Sequence, residues 1–297
     1  MTILLVVSFY YRLEEEVCAR GERRFSVAFV DFHMHTTVSD GVWTPSELFA
    51  YIRKVSLEAF SISDHDTMDV YPLPADLAER CIPGMEVDTK CKGATTHLLV
   101  YGITSPDAPL LEHLRAQRAA RRVRMEAMIE SLRGRGFDVT MAHVEAQAGK
   151  AASLGRPHLA RALVDLGVVQ SVQEAFDKYI ADDQGDYVAL DRLDSERAIE
   201  LAHLSGAVVS VAHPCRLKDP AMLDLLRSEG VDGVEVVHPS ADEQARSRLT
   251  DFAREHGLLI TGGSDFHAPA PGYAPGIEFD AEHVERLQEA VRKARAA

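Results

Sequence analysis

The chain has 297 residues, 46% hydrophobic and 26% charged, with 32 basic and 46 acidic side chains and a formal net charge of −14. That length suits one large α/β domain or one domain carrying an insertion. The acidic balance excludes a broad electrostatic footprint on long duplex nucleic acid, and the four scattered cysteines, with no Cys-x-x-Cys pair, point to a reduced, cytoplasmic setting.

The start, Met1 to Tyr11, is apolar but short, lacks a basic leader and runs into Glu14-Glu15-Glu16. It is a poor signal peptide and too short for a membrane span, so residues 1–27 read as an N-terminal extension and no membrane partner is expected. Ser26 to Phe32 reads as a first strand that runs into Asp31-Phe32-His33-Met34-His35. Alternate strand side chains face the same way, so His33 and His35 can hold one ion together. A bare His-x-His, taken alone, reads more readily as two unrelated surface histidines. Thr44-Pro45-Ser46-Glu47 is a helix start with a capping box, and the helix is expected to reach about Lys54. Ala59 to Ser63 reads as a short buried strand ending in Asp64-His65-Asp66. A helix near Pro74–Arg80 follows, then strands at Cys81–Val87 and Thr96–Tyr101.

From about 106 to 200 strand signals are few and charge is dense. Arg115, Arg118, Arg121, Arg122 and Arg124 share one long expected helix, Leu110 to Arg133, and read as a solvated face. Residues 106–200 are therefore expected to form a mainly helical insertion subdomain that overhangs the mouth. Strands return at Ala207–Val211, Gly233–Val237 and Leu258–Thr261, with helices between them. Alternating strands and helices imply a parallel sheet or barrel, built from residues 28–105 and 201–297.

Histidines and carboxylates follow one strand after another: His33, His35 and Asp40; His65 between Asp64 and Asp66; Glu86; His97; His213; and Asp265 with His267. In a parallel α/β barrel such residues converge on one mouth. Nitrogen and carboxylate oxygen suit zinc, manganese or iron, and this many donors suit two or three ions. On the resemblance described next, such ions would bind a phosphoryl oxygen and acidify a water that attacks phosphorus. On the same resemblance Arg156, His158 and Arg216 are candidates to bind substrate phosphate, with Lys178 a weaker one. Asp66 is a candidate proton shuttle, although a turn-forming aspartate explains it as well. His238, with five other histidines, reads as a surface or satisfied residue.

These motifs together, in order over about residues 28–105 and 205–275, resemble the PHP (polymerase and histidinol phosphatase) family. The block Gly155-Arg156-Pro157-His158, followed by Phe176-Asp177-Lys178-Tyr179, resembles the insertion of one subgroup. That subgroup contains nucleoside 3′,5′-bisphosphate phosphatases and 5′-to-3′ exonucleases acting on short RNA. The resemblance implies a distorted (β/α)7 barrel. It also implies a first metal on His33, His35 and Asp265, with Glu86 bridging to a second held by His97 and His213. Asp40, His65 and His267 would hold a third, although many members carry histidine in place of Asp40. The implied function is metal-dependent hydrolysis of nucleotide phosphomonoesters, or of the 5′-ends of short oligonucleotides, with His213 a catalytic residue as well as a ligand. Alternatives are a histidinol-phosphate-type phosphatase, a non-catalytic metal-binding module and an amide hydrolase.

Overall fold

The computed structural model describes residues 26–149, 151, 153–181, 184–186, 188 and 192–297. Apart from Ser26 and Val27, the expected N-terminal extension lies outside the described residues, and Val27 already belongs to the first strand. Strand β1 (Val27–Asp31) leads into the His-x-His segment. Helix α1 (Pro45–Val55) begins with the capping box read from its sequence: Thr44 and Glu47 bond reciprocally, and Pro45 occupies the first turn. Strand β2 (Ala59–Phe60) is shorter than expected, and α2 (Ala75–Ala78) is a single turn.

Strands β3 (Gly84–Cys91) and β4 (Ala94–Tyr101) form an antiparallel hairpin, which departs from an all-parallel reading. Its two-residue turn has positive φ at both Lys92 and Gly93, matching the twist of the strands it joins. Helix α3 (Pro109–Gly134) is followed by α4 (Met141–Ala148), α5 (Arg156–Asp165), α6 (Val172–Ala175) and a π-helical turn over Phe176–Ile180. The two-residue β5 (Leu193–Asp194) pairs with β3, and α7 (Ser195–Leu204) follows it. Then come β6 (Val208–Val211), a 3-10 turn over Pro214–Arg216, α8 (Ala221–Glu229), β7 (Gly233–Val237), α9 (Glu243–Glu255) and β8 (Leu259–Gly262). The chain closes with β9 (Ile277–Asp280), antiparallel to β1, and α10 (Ala281–Ala296).

The fold is mixed α/β. One sheet has the order β2-β1-β9 and the other β5-β3-β4-β6-β7-β8. Single bridges touch across two seams: Met34 with Phe266, and Phe60 with Cys81 together with His65 with Glu86. Among the described residues no continuous ladder closes the sheets into a barrel. Both seams place residues that follow strand ends at one side of the molecule.

The main core contains Val30, Phe32, Val87, Leu99, Val209 and Val234, closed from outside by Ile199, Leu226 and Leu287. A second core of Met125, Met128, Leu132, Leu159, Leu163 and Ile180 belongs to the helices between β4 and β5. Leu110 and Leu114 at the start of α3, and Ala198 to Ala202 in α7, pack into the main core instead. Helix α3 begins in one core and ends in the other.

Candidate metal centre

Three groups of histidines and carboxylates converge, from within β3 and β4 and from just past other strands: His33, His35, Glu86 and Asp265; Glu86, His97 and His213; and His35, Asp40, His65 and His267. Each group can hold a metal ion. In the first, His33 Nε2 lies 3.2 Å from Glu86 Oε2 and 3.4 Å from Asp265 Oδ1. His35 Nε2 lies 3.2 and 3.5 Å from the same two oxygens. Donors around one ion at about 2.1 Å stand about 3.0–3.4 Å apart, so the spacing fits a shared cation. The buried atoms His33 Nε2, His35 Nδ1 and His35 Nε2 have no hydrogen-bond partner among the described residues, which a cation would remedy. In the second group Glu86 Oε1 lies 2.8 Å from His97 Nδ1 and 2.9 Å from His213 Nε2. In the third, Asp40 Oδ1 lies 3.3 Å from His267 Nε2 and 3.8 Å from His35 Nδ1, and Asp40 Oδ2 lies 3.9 Å from His65 Nε2. All nine expected donors are brought together. His35 is common to two groups, a sharing that the sequence alone does not disclose.

Local backbone geometry aims these groups. Glu86 and Asp88 alternate along β3 and so share the face toward the site. His213 and Asp265 take left-handed conformations, with φ of 31° and 52°, just past their strands. Such conformations are costly for residues with a Cβ and concentrate at functional sites. Asp31, fully buried at the end of β1, accepts the N–H groups of His33, Ser264 and Gly276, tying the two motif-bearing loops together. Gly263 lies so close to His33 that an added Cβ would stand 2.4 Å from the histidine Cβ.

Each charge is set by the others. Burial pushes the Glu86 carboxyl up, but the rings of His65, His33 and His97 outweigh it and hold Glu86 well below the usual carboxylate range. Burial lowers His65, yet Glu86 and Asp40 raise it to about 10. His35 is likewise pulled down by burial and pushed up to about 8 by Asp265 and Glu86. The cluster therefore asks for positive charge, which metal ions supply in place of protons.

Supporting residues appear that the sequence reading missed. Glu235, a lone acid in the apolar strand β7, accepts from His33 Nδ1 at 2.9 Å and from the His213 N–H at 2.6 Å. Asp88 faces both His65 Nδ1 and His97 Nε2, at 3.3 and 3.2 Å. His238 is the satisfied histidine of the two readings, buried with Nε2 3.2 Å from Asp265 Oδ2, but its place beside a donor was not foreseen. It follows β7 as the other site residues follow their strands, and that position was its signal.

The arginine run on α3 is not a solvated face throughout. Arg121 is 3% exposed and pairs with Asp66 at 2.6 Å and Asp88 at 2.7 Å. Asp66 is fully buried, bound by Arg121 and Gln117, and is not among the residues that line the cleft. Arg124 is 4% exposed, and its Nε and Nη1 have no hydrogen-bond partner among the described residues.

A cleft of about 300 Å³ opens over the donors, and Arg121, Arg124, Arg156, Arg192 and Arg216 line it. Arg156 donates to the Ile180 carbonyl and stands over the Phe176 ring. Arg216 reaches Asp265 Oδ2 at 2.9 Å. The two other expected substrate contacts, His158 and Lys178, are not among the residues that line it. His158 is buried and its Nδ1 accepts the Gly155 N–H, capping α5. Lys178 is exposed and pairs with Glu174 one turn away.

No family model matches the chain. Comparison with individual proteins does give relatives. The chain is 30% identical over 254 residues to the 5′-3′ exoribonuclease Rnm of Escherichia coli K12, covering 81% of this chain and 86% of that protein. It is also 30% identical over 256 residues to a 3′,5′-nucleoside bisphosphate phosphatase of Chromobacterium violaceum, covering 83% and 90%. A solved structure of a proposed metal-dependent phosphoesterase from Bifidobacterium adolescentis superposes with a TM-score of 0.80 at 30% identity, covering 88% of this chain and 96% of that one. Likeness over nearly the whole length of each, joined to the strand-end motifs, leads to one conclusion: the chain belongs to the PHP family of metal-dependent phosphoesterases, hydrolases of phosphoric esters.

Proposed function

We propose that the chain hydrolyses phosphomonoesters of nucleotides, such as nucleoside 3′,5′-bisphosphates, or the 5′-ends of short oligonucleotides. The observation that carries this reading is the junction of two unlike surfaces. Three interlocked donor groups lie at the floor of a cleft whose walls are rich in arginine. Manganese, iron or zinc would be held at two or three sites: by His33, His35, Glu86 and Asp265; by Glu86, His97 and His213; and by His35, Asp40, His65 and His267. Such ions neutralise phosphoryl charge and make a bound water acidic enough to react near neutral pH. The protein's own residues do the rest. Glu235 and Asp88 orient the ligand histidines from behind. Arg156 and Arg216 hold phosphate oxygens, and Arg124 supplies a buried cation whose donors are open to an anion.

The relatives' named activities, on RNA ends and on nucleoside bisphosphates, favour a small phosphorylated nucleotide substrate. The single bridges between sheets support a distorted seven-stranded barrel formed by β1, β2, β3, β4, β6, β7 and β8. The second core supports treating most of the 106–200 block as a helical subdomain. Free Cys81, Cys91 and Cys215 are in keeping with a cytoplasmic setting, and no helix among the described residues is long and apolar enough to cross a membrane.

The test is phosphate release from nucleoside 3′,5′-bisphosphates, 5′-phosphorylated short RNAs, histidinol phosphate and an aryl phosphate, after chelation and after adding back each metal. Turnover should return with metal and be highest on the nucleotides. A charge-assisted bond contributes about 1.5–3 kcal/mol, so Arg156→Ala should cost the bisphosphate roughly 10- to 100-fold in kcat/KM. The aryl phosphate should lose far less. Equal losses on both would reassign Arg156 to the reacting phosphate or to the fold.

A further inference from the structure

Beyond the cleft runs a second groove, of about 450 Å³, between the tip of the β3–β4 hairpin and the segment after β6. The strand register explains how it continues the site. Asp88 pairs with His97, and Lys90 pairs with Thr95. Directly paired residues share a face, and so do residues two apart. The face that shows Glu86, Asp88 and His97 to the donor cluster therefore shows Lys90 and Thr95 one step further out. On the opposite wall His213 leads through the 3-10 turn to Arg216, Leu217 and Lys218, and Met222 of α8 completes that side.

Charge reverses along this path. Arg156, Arg192 and Arg216, shared with the metal cleft, lead on to Lys90 and Lys218; Lys90, Arg192 and Arg216 pair with Asp194, Asp88 and Asp265, but no aspartate or glutamate lines the groove itself among the described residues. That is a local exception in a chain of net charge −14. Apolar surface from Leu217 and Met222 lies among these cations. Several cations along an open groove, with apolar surface between them, match a flexible strand of phosphates carrying bases. A mononucleotide held in the 300 Å³ cleft would meet the shared Arg156, Arg192 and Arg216 but leave Lys90 and Lys218 idle.

We infer that this groove carries the further nucleotides of a single-stranded oligonucleotide whose terminal phosphate lies at the donor cluster. The inference rests on the phosphoesterase reading for the direction of the strand, and it selects an oligonucleotide over a mononucleotide as the larger natural substrate. Lys218 is its simplest probe, because it is exposed and makes no ion pair among the described residues.

The experiment uses full-length, metal-loaded protein and fluorescently labelled, hydrolysis-resistant phosphorothioate RNAs of two and six nucleotides. Binding is read by anisotropy across a salt series. Wild type should hold the hexanucleotide at least about tenfold tighter than the dinucleotide. Lys218→Glu should remove most of that advantage, and Lys218→Gln part of it. Losing one phosphate contact should also lower the slope of log K against log salt by about 0.7. Equal binding of the two lengths overturns the proposal. So does a Lys218→Glu protein that binds like wild type, or an acidic peptide that displaces the RNA as well as unlabelled RNA does. Turnover of a nucleoside bisphosphate by the same preparation tests the underlying reading separately. Length-dependent binding without any turnover would sustain the groove and remove the phosphoesterase reading.

Discussion

At the scale of single residues, the centre depends on side chains that never reach the cleft. Glu235 accepts the proton on His33 Nδ1 and so leaves Nε2 free to face a cation. Outer partners of this kind change metal affinity or activity about 10- to 100-fold when removed. Glu235→Gln keeps the shape but weakens the acceptor, and it should lower metal retention by that order while moving the melting temperature little. Metal content after dialysis against a competing chelator is the measurement, and wild-type retention would sink the idea. Seven of the nine expected donors lie just past a strand, whereas Glu86 and His97 lie inside β3 and β4 and were legible only through their place in the order of motifs. Glu235 and Asp88 lie inside strands, where a buried acid is recognisable only once its partner is known to be a histidine from another strand.

Helix α3 shows what a single element can hide. Its buried positions Leu110, Leu114, Gln117, Arg121, Arg124, Met128 and Leu132 recur every three or four residues, forming one stripe. Polar residues occupy that stripe only in the middle, where it passes the metal centre. The run of arginines concealed this, because Arg115, Arg118 and Arg122 on other faces made all five look solvated. Arg121 neutralises both Asp66 and Asp88, and removing one partner of a buried charge group typically costs about 3–5 kcal/mol. Arg121→Met should therefore destabilise the protein by that amount in urea unfolding. A loss below about 1 kcal/mol, in the range of a surface ion pair, would show that the site is wetter than its burial indicates. Strands were legible where apolar runs were long. Strand β2 was overextended because Ser61 and Ile62 are buried without ladder pairing, and β9 was missed because four residues carry little pattern. The Lys92-Gly93 turn was a hairpin signal that the alternation of strands and helices obscured.

At the scale of the whole molecule, the main core and the helical core lie on either side of a layer of charge. That layer favours the folded state most when cations occupy it. Metal at about 100 times its Kd for one site stabilises by about 2.7 kcal/mol. Adding manganese to chelated protein should thus raise the melting temperature by roughly 5–10 °C, since each kcal/mol is worth about 2–4 °C at this size. No rise for any of manganese, iron or zinc would remove metal from the architecture. The same layer joins the parts mechanically. Helix α3 runs unbroken through 26 residues, about 39 Å, from the main core to the helical one, and Arg121 pins its middle to the strand ends. A hinge between roof and mouth would have to break that helix where it is most tightly held. The two halves are consequently expected to turn as one body, with no hinge within α3 to set the rate of turnover.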